Sequence, residues 1–158
     1  MYEGVAYSAI WKFMSWLPGF VVRQFITKRW LAEKTRIDVR ARHSSVQIVG
    51  GEMPNATIWL NIHNGGYFPI ELDRLTAELW LAGCNVQFYY LDRTLIPAGE
   101  TRELYLKGNL TPGQIAHYTR NRAGDVLLSV RAEFNSDIHD FSVNTGQLSG
   151  IKPDTPGI

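Results

Sequence analysis

The chain has a single cysteine, Cys84, among 158 residues. One thiol cannot close an intrachain disulfide or build a cysteine-based zinc site, so a disulfide-stapled scaffold and a zinc module of that kind are both excluded. It also favours a reducing compartment. Histidine is nearly as scarce. His43, His63, His117 and His139 are scattered, without the i, i+4 helical pair or the alternate-residue strand pair that would converge on a metal. There is no Gly-x-Ser-x-Gly elbow, no phosphate-binding glycine-rich loop and no dinucleotide fingerprint, and the pairs Gly50-Gly51 and Gly65-Gly66 lack a following helix and lysine. The densest polar cluster, Asp137-Ile138-His139-Asp140, reads as a solvated hairpin turn in preference to an acid–base site, because Asn135, Ser136, Asp137 and Asp140 are ordinary turn formers. The expectation is a protein that is not an enzyme and has no metal and no cofactor.

Acidic charge is sparse at one end. The net charge of +1 conceals eight Lys/Arg against three Asp/Glu in residues 1–43, and eight against twelve in the remainder. A nucleic-acid binder spreads its basic residues over a folded face with stacking aromatics, whereas basic residues beside an apolar run meet anionic lipid head groups. No nucleic-acid partner is expected.

That apolar run is GVAYSAIWKFMSWLPGFVV, Gly4 to Val22, with Lys12 as its one charge. A helix of this length reaches roughly 28 Å, close to the hydrocarbon thickness of a bilayer. Glu3, the lack of a basic residue before the run and the lack of a small-x-small cleavage site distinguish it from a secretory signal, so it is expected to be retained. Ser8, Lys12, Ser15, Gly19 and Arg23 would form one stripe on a helix, and Pro18-Gly19 would bend or break it. Three of the five tryptophans lie in the first thirty residues, a type enriched at membrane interfaces. Three arrangements stay open: a spanning or re-entrant helix, an in-plane amphipathic helix, and a helix covering an apolar face of its own domain or a partner. The expected membrane contacts are Trp11, Lys12, Trp16, Phe20, Phe25, Lys28, Arg29 and Trp30. If the segment spans, the basic cluster after it places the following domain on the cytoplasmic side.

After about Arg36 the pattern changes to period two. Ala56, Ile58, Leu60 and Ile62 alternate with Thr57, Trp59, Asn61 and His63; Leu75, Ala77, Leu79 and Leu81 repeat the pattern; so do Val126, Leu128, Val130, Ala132 and Phe134. Asn64-Gly65-Gly66 is turn chemistry that tolerates positive φ. Thr111-Pro112-Gly113-Gln114 carries a capping box with proline at the first helical position, announcing a short helix. Seven or eight strands with one short helix suit an antiparallel two-sheet sandwich. Trp59, Trp80, Phe88, Tyr89, Tyr90 and Tyr105 are expected mainly in the core and in cross-strand pairs, with a ligand groove as the alternative.

The run NGGYFPIELDRLTAELWLAG, then LIPAGET, a helix-capping insert, and LLSVRAEFNSDIHDFSVNTGQLSGI resembles the water-stress and hypersensitive-response (WHy) domain, the type-2 late-embryogenesis-abundant fold, over about Asn55 to Lys152. Where that family usually has Asn-Pro, this chain has Asn64-Gly65-Gly66. The resemblance implies an immunoglobulin- or fibronectin-like sandwich, often tethered to a membrane at its N-terminus, without catalytic machinery.

The sequence thus divides into a helical membrane-contacting segment, 1–34, a β-sandwich domain, 35–152, and a flexible tail, 153–158. The expected function is a membrane-associated adaptor or scaffold that binds another protein or a second copy of itself. A module for lipid or another apolar ligand is the alternative.

Overall fold

The computed structural model of the chain describes residue 12, residues 16–121 and residues 125–156. Two short helices come first, α1 (Gly19–Phe25) and α2 (Lys28–Lys34). The strands β1 (Thr35–Val39), β2 (Val46–Val49), β3 (Asn55–Asn64), β4 (Ile70–Leu81), β5 (Cys84–Tyr90), β6 (Thr94–Ile96) and β7 (Thr101–Asn109) follow. Helix α3 (Pro112–Arg120) leads to β8 (Val126–Asn135), β9 (Phe141–Gln147) and β10 (Pro153–Asp154). The protein is mainly β, with its strands in two sheets around one core.

In the first sheet β3 is central. Strand β7 pairs along one side of it, from Asn55↔Asn109 to His63↔Thr101. Its other side is shared, with β1 opposite residues 60–64 and β2 opposite residues 55–58. The second sheet repeats this plan around β4, which pairs with β8 on one side and with β6 and then β5 on the other. Strand β9 extends it beyond β8.

Period two explains the inner faces. Ala56, Ile58, Leu60 and Ile62 of β3 are buried against Leu75, Ala77, Leu79 and Leu81 of β4 and against Leu128, Val130, Ala132 and Phe134 of β8, all in one cluster. In β4 the buried set begins at Ile70 and Leu72 and resumes at Leu75, a change of phase. A bulge between Leu72 and Arg74 absorbs the extra residue, so both halves keep their apolar side inward.

Several expectations are corrected here. The described residues form ten strands in place of seven or eight, because three-residue β6 and two-residue β10 are too short to show a period. The tail expected to be flexible from residue 153 begins in a strand: Pro153 and Asp154 pair in parallel with Val46 and Gln47, and Lys152 N–H donates to Ser45 Oγ at 2.7 Å. Gly65 and Gly66 do not have positive φ. Gly65 is needed for close approach, since its N–H donates to Lys34 O at 2.9 Å and a Cβ there would lie 2.9 Å from the same oxygen.

The N-terminal segment differs most. Pro18 precedes α1 as its cap, as the sequence led one to expect of a break there. A second break falls at Ile26-Thr27, where extended Ile26 ends α1 and the Thr27 hydroxyl accepts from Trp30 N–H to start α2. Among the described residues no helix is long and apolar enough to cross a membrane. Val22, Ile26 and Leu31 belong to the core cluster, so α1 and α2 are continuous with the sandwich, and α2 packs on β9 and β1.

Candidate functional site

Helix α1 is apolar on both faces. Val22 and Ile26, one helical turn apart, point into the core. At 100° per residue, Phe20 and Gln24 then lie on the outward arc, with half-buried Val21 and exposed Phe25 on one flank. Phe20 is 69% exposed, Phe25 77% and, just before the helix, Trp16 83%. Single exposed apolar residues are ordinary, but here three large aromatics are exposed within ten residues, Trp16 ahead of the helix and Phe20 and Phe25 about 140° apart around it, an exposed aromatic set at this end of the chain.

Basic residues are close to these aromatics in the sequence. Lys28 is exposed and forms no ion pair among the described residues. Arg29 is exposed but committed to Glu33 at 2.9 Å. Lys12 is exposed and helical, and Arg23 lies on the flank of α1, its carbonyl facing His139 Nε2 at 3.5 Å. Trp30 stands apart from this set. It is half-buried against Tyr67 and Phe68, with ring centroids at 5.7 and 6.3 Å, and Lys34 Nζ lies 5.9 Å from its ring. Its indole therefore fastens α2 to the sandwich, which sequence alone could not distinguish from a membrane-facing role. Trp11 lies outside the described residues.

The remaining candidates have the following surroundings. His63 Nδ1 is 3.0 Å from Thr101 Oγ1, and His117 Nε2 is 2.9 Å from Ala82 O, tying α3 to the β4–β5 turn. Among the described residues no three His, Cys, Asp or Glu side chains are grouped to hold a metal. In the Asp137–Asp140 turn the Ser136 hydroxyl accepts from Ile138 and His139 N–H and donates to His139 O, so the cluster is organised by its own backbone. Cys84 is half-buried at the start of β5.

Of the aromatics, Phe88 is in the core and Trp59 faces Tyr105 across the β3–β7 ladder, covered by the Arg40 guanidinium at 4.4 Å. Tyr90 and Tyr105 are brought together in a groove of about 350 Å³ with Asp92, Glu103 and Leu104. A second groove, of about 520 Å³, lies on the outer face of β4 and β8 beside the bulge. Of its charged lining residues, Arg74 pairs with Glu133 and with neighbouring Asp73, and Arg131 lies 4.0 Å from Glu133.

No family model matches the chain, and no curated protein does. Solved structures share its fold. One, the Northeast Structural Genomics Consortium target SoR45, is 14% identical with a TM-score of 0.54, over 81% of this chain and 92% of that one. Another, the putative ApaA protein from Bordetella pertussis, is 13% identical with a TM-score of 0.51, over 78% of this chain and 95% of that one. At these identities the likeness concerns the fold alone.

Proposed function

We propose that this chain is a non-enzymatic β-sandwich held at a membrane surface by its N-terminal segment, where it serves as a protein-binding adaptor. The observation that carries the proposal is the exposed trio Trp16, Phe20 and Phe25, on and just ahead of a helix that buries Val22 in the core. Aromatic rings presented on a rigid base enter the head-group region without unfolding anything, and neighbouring cations favour an anionic, cytoplasmic leaflet. In this reading α1 lies on the membrane in place of crossing it. Assignment of the sandwich to the immunoglobulin- or fibronectin-like class, and to the WHy family, belongs to the same proposal. It is supported by Asn64, whose side chain donates to Ile96 O and so joins the Asn-containing turn to the Ile-Pro-x-Gly-x-Thr connection. An apolar-ligand module has less support, since the space between the sheets is occupied by Phe88, Phe134 and their neighbours.

The test is sedimentation of the full chain with phosphatidylserine-containing and with purely phosphatidylcholine vesicles. Replacing Trp16, Phe20 and Phe25 together by serine is expected to abolish binding while the far-UV spectrum is kept, and Trp16 emission in the parent should shift to the blue on binding. Unchanged sedimentation of the triple variant would overturn the proposal.

A further inference from the structure

The two open sides of the sandwich are finished differently. On one, α2 packs over β9 and β1. On the other, β5 and β7 run close together but belong to different sheets and do not pair. Helix α3 is tied to the Ala82 end of β5 through His117. Tyr90, at the other end, is six residues beyond Cys84, about 20 Å further along the strand.

The register of β7 identifies which backbone groups remain there. Asn64 N–H donates to Glu100 O and Leu110 N–H donates to Pro54 O, both at 2.9 Å. Hydrogen-bonded pairs alternate along an antiparallel ladder, so Arg102, Leu104, Leu106 and Gly108 turn their amides and carbonyls to β3. Glu103, Tyr105 and Lys107 turn theirs away, where no described strand pairs with them. Beside this edge lies the groove of Tyr90, Asp92, Glu103, Leu104 and Tyr105, with two phenol rings, two carboxylates and no lysine or arginine in its lining. Asp92 forms no ion pair among the described residues, and Glu103 reaches Arg40 only at 4.0 Å.

We propose that β7 accepts an extended segment of a partner protein as an added strand, with a lysine or arginine of that segment seated between Tyr90, Tyr105, Asp92 and Glu103. Main-chain hydrogen bonds to Glu103, Tyr105 and Lys107 supply the docking, and the cation gains both the carboxylates and the faces of the rings. Edge strands commonly carry charges that discourage indiscriminate pairing. Glu103 and Lys107 would do so here, and they also set the sequence of a matching strand. Opposite-charge cross-strand pairs in an antiparallel addition require an acidic residue opposite Lys107 and, four residues later, a basic one opposite Glu103. The inference rests on the adaptor reading for the existence of a partner, but not on membrane binding.

The experiment uses the full chain without vesicles and the heptapeptide Ac-Thr-Glu-Val-Thr-Val-Arg-Val-NH2, followed by amide NMR titration and hydrogen exchange at low salt. Slowed exchange at Glu103, Tyr105 and Lys107 is expected. D92N/E103Q, both at exposed positions, should weaken binding about fivefold. Y105P, which removes one outward N–H, should abolish it. Absence of slowed exchange, equal binding by the D92N/E103Q variant, or equal binding by the peptide with glutamate and arginine exchanged overturns the proposal. Vesicle sedimentation of the same variants should be unchanged, which separates failure here from failure of the membrane reading.

Discussion

Phe88 fills the space that a side chain at position 108 would need: a Cβ built on Gly108 would lie 2.5 Å from Phe88 Cε1 and 2.7 Å from Cδ1. The two residues come from different sheets, Phe88 from β5 and Gly108 from β7, and the ring is buried. Their contact sets how closely the open side of the sandwich can draw together. Substituting Gly108→Ala is expected to destabilise by about 1–3 kcal/mol, the usual range for overpacking, in urea unfolding. Combining it with Phe88→Leu should cost less than the sum of the two single changes. Additivity would mean that the ring moves aside freely.

Asn64 is 1% exposed, and its side chain satisfies three backbone groups. It donates to Phe68 O at 2.9 Å and Ile96 O at 3.0 Å, and accepts from Gly66 N–H at 3.0 Å. Truncation to alanine leaves those groups unpaired inside the protein, and a loss of about 3 kcal/mol is expected. Asn64→Asp should be at least as damaging at neutral pH, because a carboxylate cannot donate to either carbonyl. Calorimetric melting of the two variants beside the parent measures both.

Leu31 is 2% exposed between α2 and the sandwich. If the N-terminal helices were a detachable anchor, Leu31→Ala would change vesicle binding and leave unfolding untouched. The core position of Leu31 leads to the opposite expectation, a loss of about 2–5 kcal/mol of stability with vesicle binding retained at temperatures where the chain is folded. For the same reason, a chain starting at Thr35 should be less stable than the parent and prone to precipitate, since it uncovers what Val22, Ile26 and Leu31 had buried.

The basic residues should act unevenly. An unpaired cation near an anionic surface is worth about 1 kcal/mol, equivalent to about fivefold in affinity. Lys28→Gln is therefore expected to weaken binding to phosphatidylserine vesicles at low salt more than Arg29→Gln, because Arg29 is already neutralised by Glu33. The difference should shrink as salt is raised. Equal effects of the two substitutions, measured by sedimentation across vesicle concentration, would show that the Arg29–Glu33 pair opens at the surface.

Much of the chain after about Arg36 was legible from residue order. In β3 the alternation of Ala56, Ile58, Leu60 and Ile62 with polar neighbours maps directly onto its burial pattern, because a strand with one face in the core imposes period two. The capping box at Thr111 and Gln114 is present as written, with Thr111 N–H donating to Gln114 Oε1 at 2.8 Å and Gln114 N–H to Thr111 Oγ1 at 3.2 Å. Such signals are local: the partners sit within four residues of one another. Strand β10 gave no such signal, because two residues have no period and their partners, Val46 and Gln47, lie more than a hundred positions away.

What the sequence determined by itself was the alternation that makes the chain a two-sheet β protein, the start and cap of α3, and the concentration of aromatic and basic residues near the N-terminus. Tertiary structure decided which of those N-terminal residues face inward. Phe20 and Val22, or Phe25 and Ile26, are equally apolar in a list of residues, and a hydrophobic side chain gains by leaving water whether it enters a bilayer or its own core. Only the packing of this segment on the sandwich core assigns Val22, Ile26, Leu31 and Trp30 to the protein and leaves Trp16, Phe20 and Phe25 outside. The same holds for Tyr90 and Tyr105: fifteen residues and one sheet apart, they share a groove because β5 and β7 meet at an edge, a relation that no local pattern encodes.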